Sequence, residues 1–193
     1  IRMDYGISDW EGVKNILLTG ERDNFCVLRK SYRNTVEIAN FASDILAHGE
    51  FPGYGAEPVI RHGEAVGIRQ TAGRDLYREA AKICKGWQTD GFDTIAVICR
   101  DQKQAQETAE LLQKELPVMP WDPEKASFEK GIMVFPVEYT KGLEFDAVLL
   151  LSPDRESYPT DDGHAKLLYV AATRALHEMA VLHIGDLTDL IGK

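Results

Sequence analysis

The stretch VEYTKGLEFDAVLLL, Val137–Leu151, decides how this chain is read. Its second half, Phe145 to Leu151, is an almost unbroken apolar run rich in Val and Leu. A strand of that kind has both faces buried, the form strands take in a parallel sheet covered by helices. Its first half sets Lys141 and Glu144 on either side of Gly142 and Leu143, directly before the core strand. A glycine between charges at that point is a tight turn whose charges are placed for a purpose other than packing.

The pattern repeats outward in both directions. Downstream, a Pro/Asp/Gly loop (Pro153–Gly163) leads into HAKLLYVAATRALHE, His164–Glu178, which reads as a helix. Its stripe Leu168, Ala171, Ala172 and Ala175 faces the core, Arg174 projects from another face, and MAVLHI closes the sheet as a last strand. Upstream, GIMVFPV (Gly131–Val137) and DTIAVICR (Asp93–Arg100) are buried strands, and VGIRQ (Val66–Gln70) is a weak one. Asp101 caps a helix carrying Ala105, Ala109, Leu112 and Leu116, and RDLYREAAKICKGW is a helix with Leu76, Ala80, Ile83 and Trp87 on one face. Thr35 to Ala47 is a further amphipathic helix, with Asn34 and Glu37 as its N-cap and capping box. HGEFPGYGAEP stops it, and FCVL (Phe25–Leu28) precedes it as a short strand. Strands apolar on both faces that alternate with amphipathic helices give an α/β fold with a mostly parallel sheet and flanking helices. The expected division is an extension or linker over residues 1–24 and one α/β domain over 25–193.

Composition narrows the function classes. With 193 residues and 44% hydrophobic content, the chain has enough apolar material for one sizeable core. No apolar run approaches bilayer-spanning length, so no membrane partner is expected. Cys26, Cys84 and Cys99 are scattered without metal-ligand spacing, which fits buried reduced thiols in a cytoplasmic protein and excludes a zinc site or disulfide framework. The five histidines are not spaced as ligands, and Trp10, Trp87 and Trp121 lack the basic neighbours of a base-stacking platform. A net charge of −9 argues against nucleic-acid binding by general electrostatic attraction.

Ligands of open α/β sheets bind at the carboxyl ends of the strands, so polar residues that follow strands are the candidates. Tyr32 and Arg33 follow the first strand, Thr140, Lys141, Gly142 and Glu144 follow GIMVFPV, and Arg174 lies on the last long helix. Arginines grip phosphate oxygens with paired charge-assisted bonds, an aromatic ring stacks on a purine, and a carboxylate accepts from ribose hydroxyls. Gathered at one sheet edge, these parts make a nucleotide site. Yet neither GxxxxGK[ST] nor GxGxxG occurs, so the phosphate cradle has to come from another domain or chain.

LRKSYRNTVEIANFASDIL resembles motif IV of the UvrD/Rep-type superfamily 1 helicases, TKGLEFDAV resembles their motif V, and LLYVAATRA their motif VI, in the family's order. The resemblance implies the second RecA-like motor domain of a P-loop NTPase, without its own Walker A sequence. It implies that Tyr32 stacks on adenine, that Arg33 contacts the γ-phosphate, that Gly142 and Glu144 lie at the ribose beside Lys141, and that Arg174 is an arginine finger. Its cofactor is ATP with Mg2+, the metal held by the preceding P-loop motor domain of the full-length chain. The activity implied is ATP-driven helicase or translocase work, with the isolated domain inactive.

One position departs from the DNA helicases of that family, whose motif V opens on Thr-Ile-His with the histidine on the single strand. Here Glu138 stands at that histidine position, followed by Tyr139 and Thr140. A carboxylate is a poor partner for a phosphate backbone. In this the chain is most similar to the HelD ATPases of Gram-positive bacteria, which implies remodelling of RNA polymerase. DNA unwinding in repair and a non-catalytic adaptor are the alternatives. Glu138, Tyr139 and Thr140 are accordingly expected to face the nucleic acid or protein partner.

Overall fold

The computed structural model describes residues 34–49, 61–120, 122, 130–140 and 142–192. The expected strand Phe25–Leu28, the extension 1–24, and Tyr32, Arg33 and Lys141 lie outside the described residues.

Helix α1 spans Val36–His48 and buries Ile38, Ala42, Ile45 and Leu46. Its cap is Thr35, whose Oγ1 accepts from Ile38 N at 3.3 Å. The capping box expected at Asn34 and Glu37 is therefore displaced. A cap needs an extended backbone and a side-chain oxygen over the first turn, and Thr35 supplies both. Glu37 instead accepts from Gly63 N at 2.8 Å, tying the helix to the segment that leads into the sheet.

Strand β1 (Gly67–Gln70) is followed by α2 (Leu76–Thr89), β2 (Thr94–Cys99) and α3 (Gln102–Leu112). Then come the two-residue β3 (Met119–Pro120), β4 (Gly131–Pro136) and β5 (Phe145–Leu151). Helix α4 (Asp162–Thr173) and β6 (Ala175–His183) complete the domain. The sheet order is β1-β6-β5-β2-β4-β3, and every strand pairing in it is parallel. That matches the expected sheet.

Alternation along the central strands divides the core in two. On one face Ile95, Val97, Cys99, Ala147, Leu149 and Leu151 pack against α2 and α3, and Trp87 and Leu112 belong to the same cluster. On the other, Ala96, Ile98, Phe145, Val148 and Leu150 pack against α1 and α4. All of β5 beyond Asp146 is at most 1% exposed, as its unbroken apolar sequence requires. Cys84 and Cys99 are buried free thiols, and burial pushes both thiol pKa values up to about 12, so neither is a nucleophile at neutral pH.

Two strand–helix boundaries differ from expectation. The last helix does not run to Glu178. It ends at Thr173, and the strand expected from Met179 begins four residues earlier at Ala175. Leu176, His177 and Met179 fit either helix or strand by periodicity, and pairing with β5 from Phe145↔Ala175 onward decides for strand. Likewise β4 stops at Pro136, and Val137–Tyr139 forms a turn of 3-10 helix.

Candidate functional site

The connection from β4 to β5 governs where the charged turn lies. β4 and β5 both run parallel to β2 and flank it, so the chain must travel from the carboxyl end of β4 back to the amino end of β5. It does so in residues 137–144, across the face covered by α4, with Val137 buried as an anchor. Thr140 is fully buried, and its hydroxyl donates to Val137 O at 2.8 Å. Leu143 N donates to Thr140 O at 3.2 Å, and Gly142 sits between them at φ 59°. That left-handed conformation is why a glycine stands there.

This path corrects the placement expected from sequence. The described candidates do not all gather at the carboxyl edge. Glu138 and Tyr139 lie just past the carboxyl end of β4, whereas Gly142 and Glu144 precede β5 and Arg174 precedes β6, at the opposite, amino edge. Eight residues of connection separate two groups that look contiguous in sequence.

At the amino edge, Arg174 is the C-cap of α4 and is 6% exposed. It does not project from the helix surface as expected, because the helix ends there and the side chain folds back over its last turn. Its Nε donates to Val170 O at 3.2 Å, Nη1 to Leu143 O at 3.3 Å and Nη2 to Thr173 Oγ1 at 3.4 Å. These are long beside the roughly 2.7–2.9 Å of a guanidinium on a carboxylate or phosphate. Burial lowers the Arg174 pKa, and the nearby Glu144 carboxylate opposes the shift. The guanidinium keeps its charge, as arginine does in proteins, and its three bonds are long, so they hold it only loosely.

Asn34 brings the start of the described chain to the same point. Its Nδ2 donates to Thr173 O and Ala175 O, the carbonyls on either side of Arg174. The chain position directly after Arg33 is therefore packed against Arg174. A cavity of about 510 Å3 opens along this edge beside Thr35, lined by Arg61, Phe92, Asp146 and His177 among others. The His177 ring stacks on Phe92 with centroids 5.7 Å apart, and its Nε2 lies 3.6 Å from Asp146 Oδ1.

At the carboxyl edge, Glu138 and Tyr139 are exposed, and Glu138 Oε1 lies 4.0 Å from Arg100 Nη1. Sequence reasoning passed over Arg100, although it follows β2 directly and the search for polar residues after strands includes it. Its Nε donates to Ser157 O at 2.9 Å, and its guanidinium carbon lies 5.7 Å from the centre of the Tyr158 ring. His164 Nε2 is 3.5 Å from Arg100 Nη2, and Asp161 carries His164 in turn. The cation at this edge is therefore enclosed by acceptors, with Glu138 on its open side.

Comparison with known proteins follows this division of the chain. Residues 131–182 match the family model of the UvrD-like helicase C-terminal domain. That span runs from the start of β4 to the penultimate residue of β6 and contains both groups of candidate residues that lie after residue 130. The fold is similar to the crystal structure of the C-terminal domain of a possible DNA helicase from Lactobacillus plantarum WCFS1. That match has a TM-score of 0.69 at 24% identity and covers 84% of this chain and 92% of the other. The α/β fold thus matches that of a RecA-like helicase C-terminal domain. No curated protein matches the chain. Among the described residues no helix is long and apolar enough to cross a membrane.

Proposed function

We propose that this chain is the second motor domain of a UvrD-like superfamily 1 ATPase and supplies half of an ATP site. The observation that carries the reading is the convergence at the amino edge. Arg174, the Gly142–Glu144 turn and the position next to Arg33 meet there, although they are far apart in sequence. Guanidinium, ribose-facing carboxylate and close backbone approach are what a nucleoside triphosphate needs from a domain with no phosphate cradle. A preceding P-loop domain in the full-length chain holds the Mg2+ and the triphosphate. Tyr32, Arg33 and Lys141 complete this half. Closure of the two domains brings Arg174 against the transferring phosphoryl, and opening releases product.

The work done by that cycle falls at the carboxyl edge. Glu138 on the open side of Arg100 supports a protein partner over a bare phosphate backbone, because the edge offers carboxylate where a nucleic acid needs cations. On that ground we propose a HelD-like ATPase, with RNA polymerase as the partner remodelled. The test sets two assays of the full-length protein side by side, co-purification with RNA polymerase and unwinding of a duplex with a single-stranded tail. Polymerase association without unwinding is the expected result. Robust unwinding without association overturns the polymerase reading and leaves a DNA helicase.

A further inference from the structure

Asn34, which reads in sequence as a helix cap, has a different task. It is 1% exposed, and its amide donates to Thr173 O at 3.1 Å and Ala175 O at 2.5 Å. The carbonyl between those two, Arg174 O, accepts from Phe145 N at 2.9 Å. Three successive carbonyls of the turn from α4 into β6 are thus held, the outer two by one side chain and the middle one by the first residue of β5. A carboxamide carries two N–H donors on one nitrogen, so a single Asn satisfies both outer carbonyls, and serine, with one donor, cannot.

We propose that Asn34 is the positioning residue of the nucleotide half-site, a role that rests on the function proposed above. Through Thr173 and Ala175 it fixes the backbone that carries Arg174. The side-chain bonds of Arg174 are too long to fix its direction firmly, so its aim is inherited from that backbone. A charge that must meet a transferring phosphoryl is sensitive to placement. A misplacement of about 1 Å costs a rate on the order of 10²-fold.

The experiment measures single-turnover ATP hydrolysis and nucleotide affinity in the full-length protein for Asn34→Ala, Asn34→Ser, Arg174→Ala and the double variant Asn34→Ala/Arg174→Ala. Asn34→Ala is expected to lower kcat on the order of 10²-fold with nucleotide Kd within about threefold of the parent. Asn34→Ser, which keeps one donor, is expected to recover part of the loss. If Asn34 acts through Arg174, Asn34→Ala lowers the rate no further on the Arg174→Ala background. Unchanged kcat in Asn34→Ala overturns the proposal, as does a full additional loss in the double variant, which marks a general structural role. Where Asn34→Ala does not fold, Asn34→Ser decides, and parental turnover there overturns the proposal. Parental turnover in Arg174→Ala overturns the half-site reading itself, whereas loss in Arg174→Ala alone removes only the role of Asn34.

Discussion

Arg174 Nη1 donates to the carbonyl of Leu143 at 3.3 Å, so the end of α4 and the turn before β5 meet at one pair of atoms. Any nucleotide that draws the guanidinium away must break this contact, and any shift of the turn is felt by the guanidinium. Arg174→Ala in the full-length protein is therefore expected to lower ATP turnover about 10³-fold or more, the scale of an arginine finger. Nucleotide affinity, measured by equilibrium titration, should change only a few-fold. Equal losses in affinity and turnover would place Arg174 in ground-state binding.

Gly142 isolates the backbone contribution of the turn. Its φ is 59°, and a Cβ added there would have nothing within 4 Å. Substitution therefore introduces strain without a clash. Gly142→Val should destabilise the domain by about 1–2 kcal/mol in denaturant unfolding, while Gly142→Asn costs less because Asn tolerates the left-handed region. Equal costs for both would mean that the turn relaxes out of this conformation.

Much of this fold is legible in the residues, and the failures share a cause. The runs DTIAVICR and DAVLLL announce their burial because both of their faces are covered, and the structure buries both. The sequence ALHEM, Ala175–Met179, is less decisive, since its length and apolar spacing suit a helix as well as a strand. The partner that settles it, Phe145, is far away in sequence. The same holds for the site. The motif residues were recognisable, but their edge was not, because it depends on the direction of β4 and β5 relative to β2. Arg100 and Asn34 illustrate both limits. Arg100 is legible as a polar residue directly after a strand, whereas the partners of Asn34 lie some 140 positions downstream.

Thr35 offers a direct test of the displaced cap. Its Oγ1 serves Ile38 N, and its methyl would be 2.7 Å from a Cβ at Gly63. Thr35→Val preserves shape and removes the acceptor, and should cost about 1 kcal/mol of stability. Thr35→Ser should be nearly neutral, since it keeps the oxygen. Gly63→Ala is expected to be destabilising in the parent, because the threonine side chain must move to admit the methyl. A loss for Asn34→Ala confined to stability, together with a neutral Thr35→Val, would return the cap to Asn34.

Glu37 gives the fold a defined sensitivity to acid. Its pKa is lowered from 4.5 to about 2, first by the hydrogen bond with His62 and then by the backbone N–H of Gly63. His62 Nδ1 lies 2.9 Å from Glu37 Oε1, and Gly63 N is 2.8 Å from Oε2. The sign follows from proton binding. Between pH 4.5 and 2 the unfolded chain protonates Glu37 while the folded chain does not, so stability falls as pH falls through that window. The contribution of this carboxylate levels off about one pH unit above 4.5, where the unfolded chain is also ionised. Glu37→Gln should therefore flatten the acid limb of a stability-versus-pH curve measured by urea unfolding, with the two proteins converging at the acid end. An unaltered acid limb in Glu37→Gln would show that another carboxylate sets the acid response.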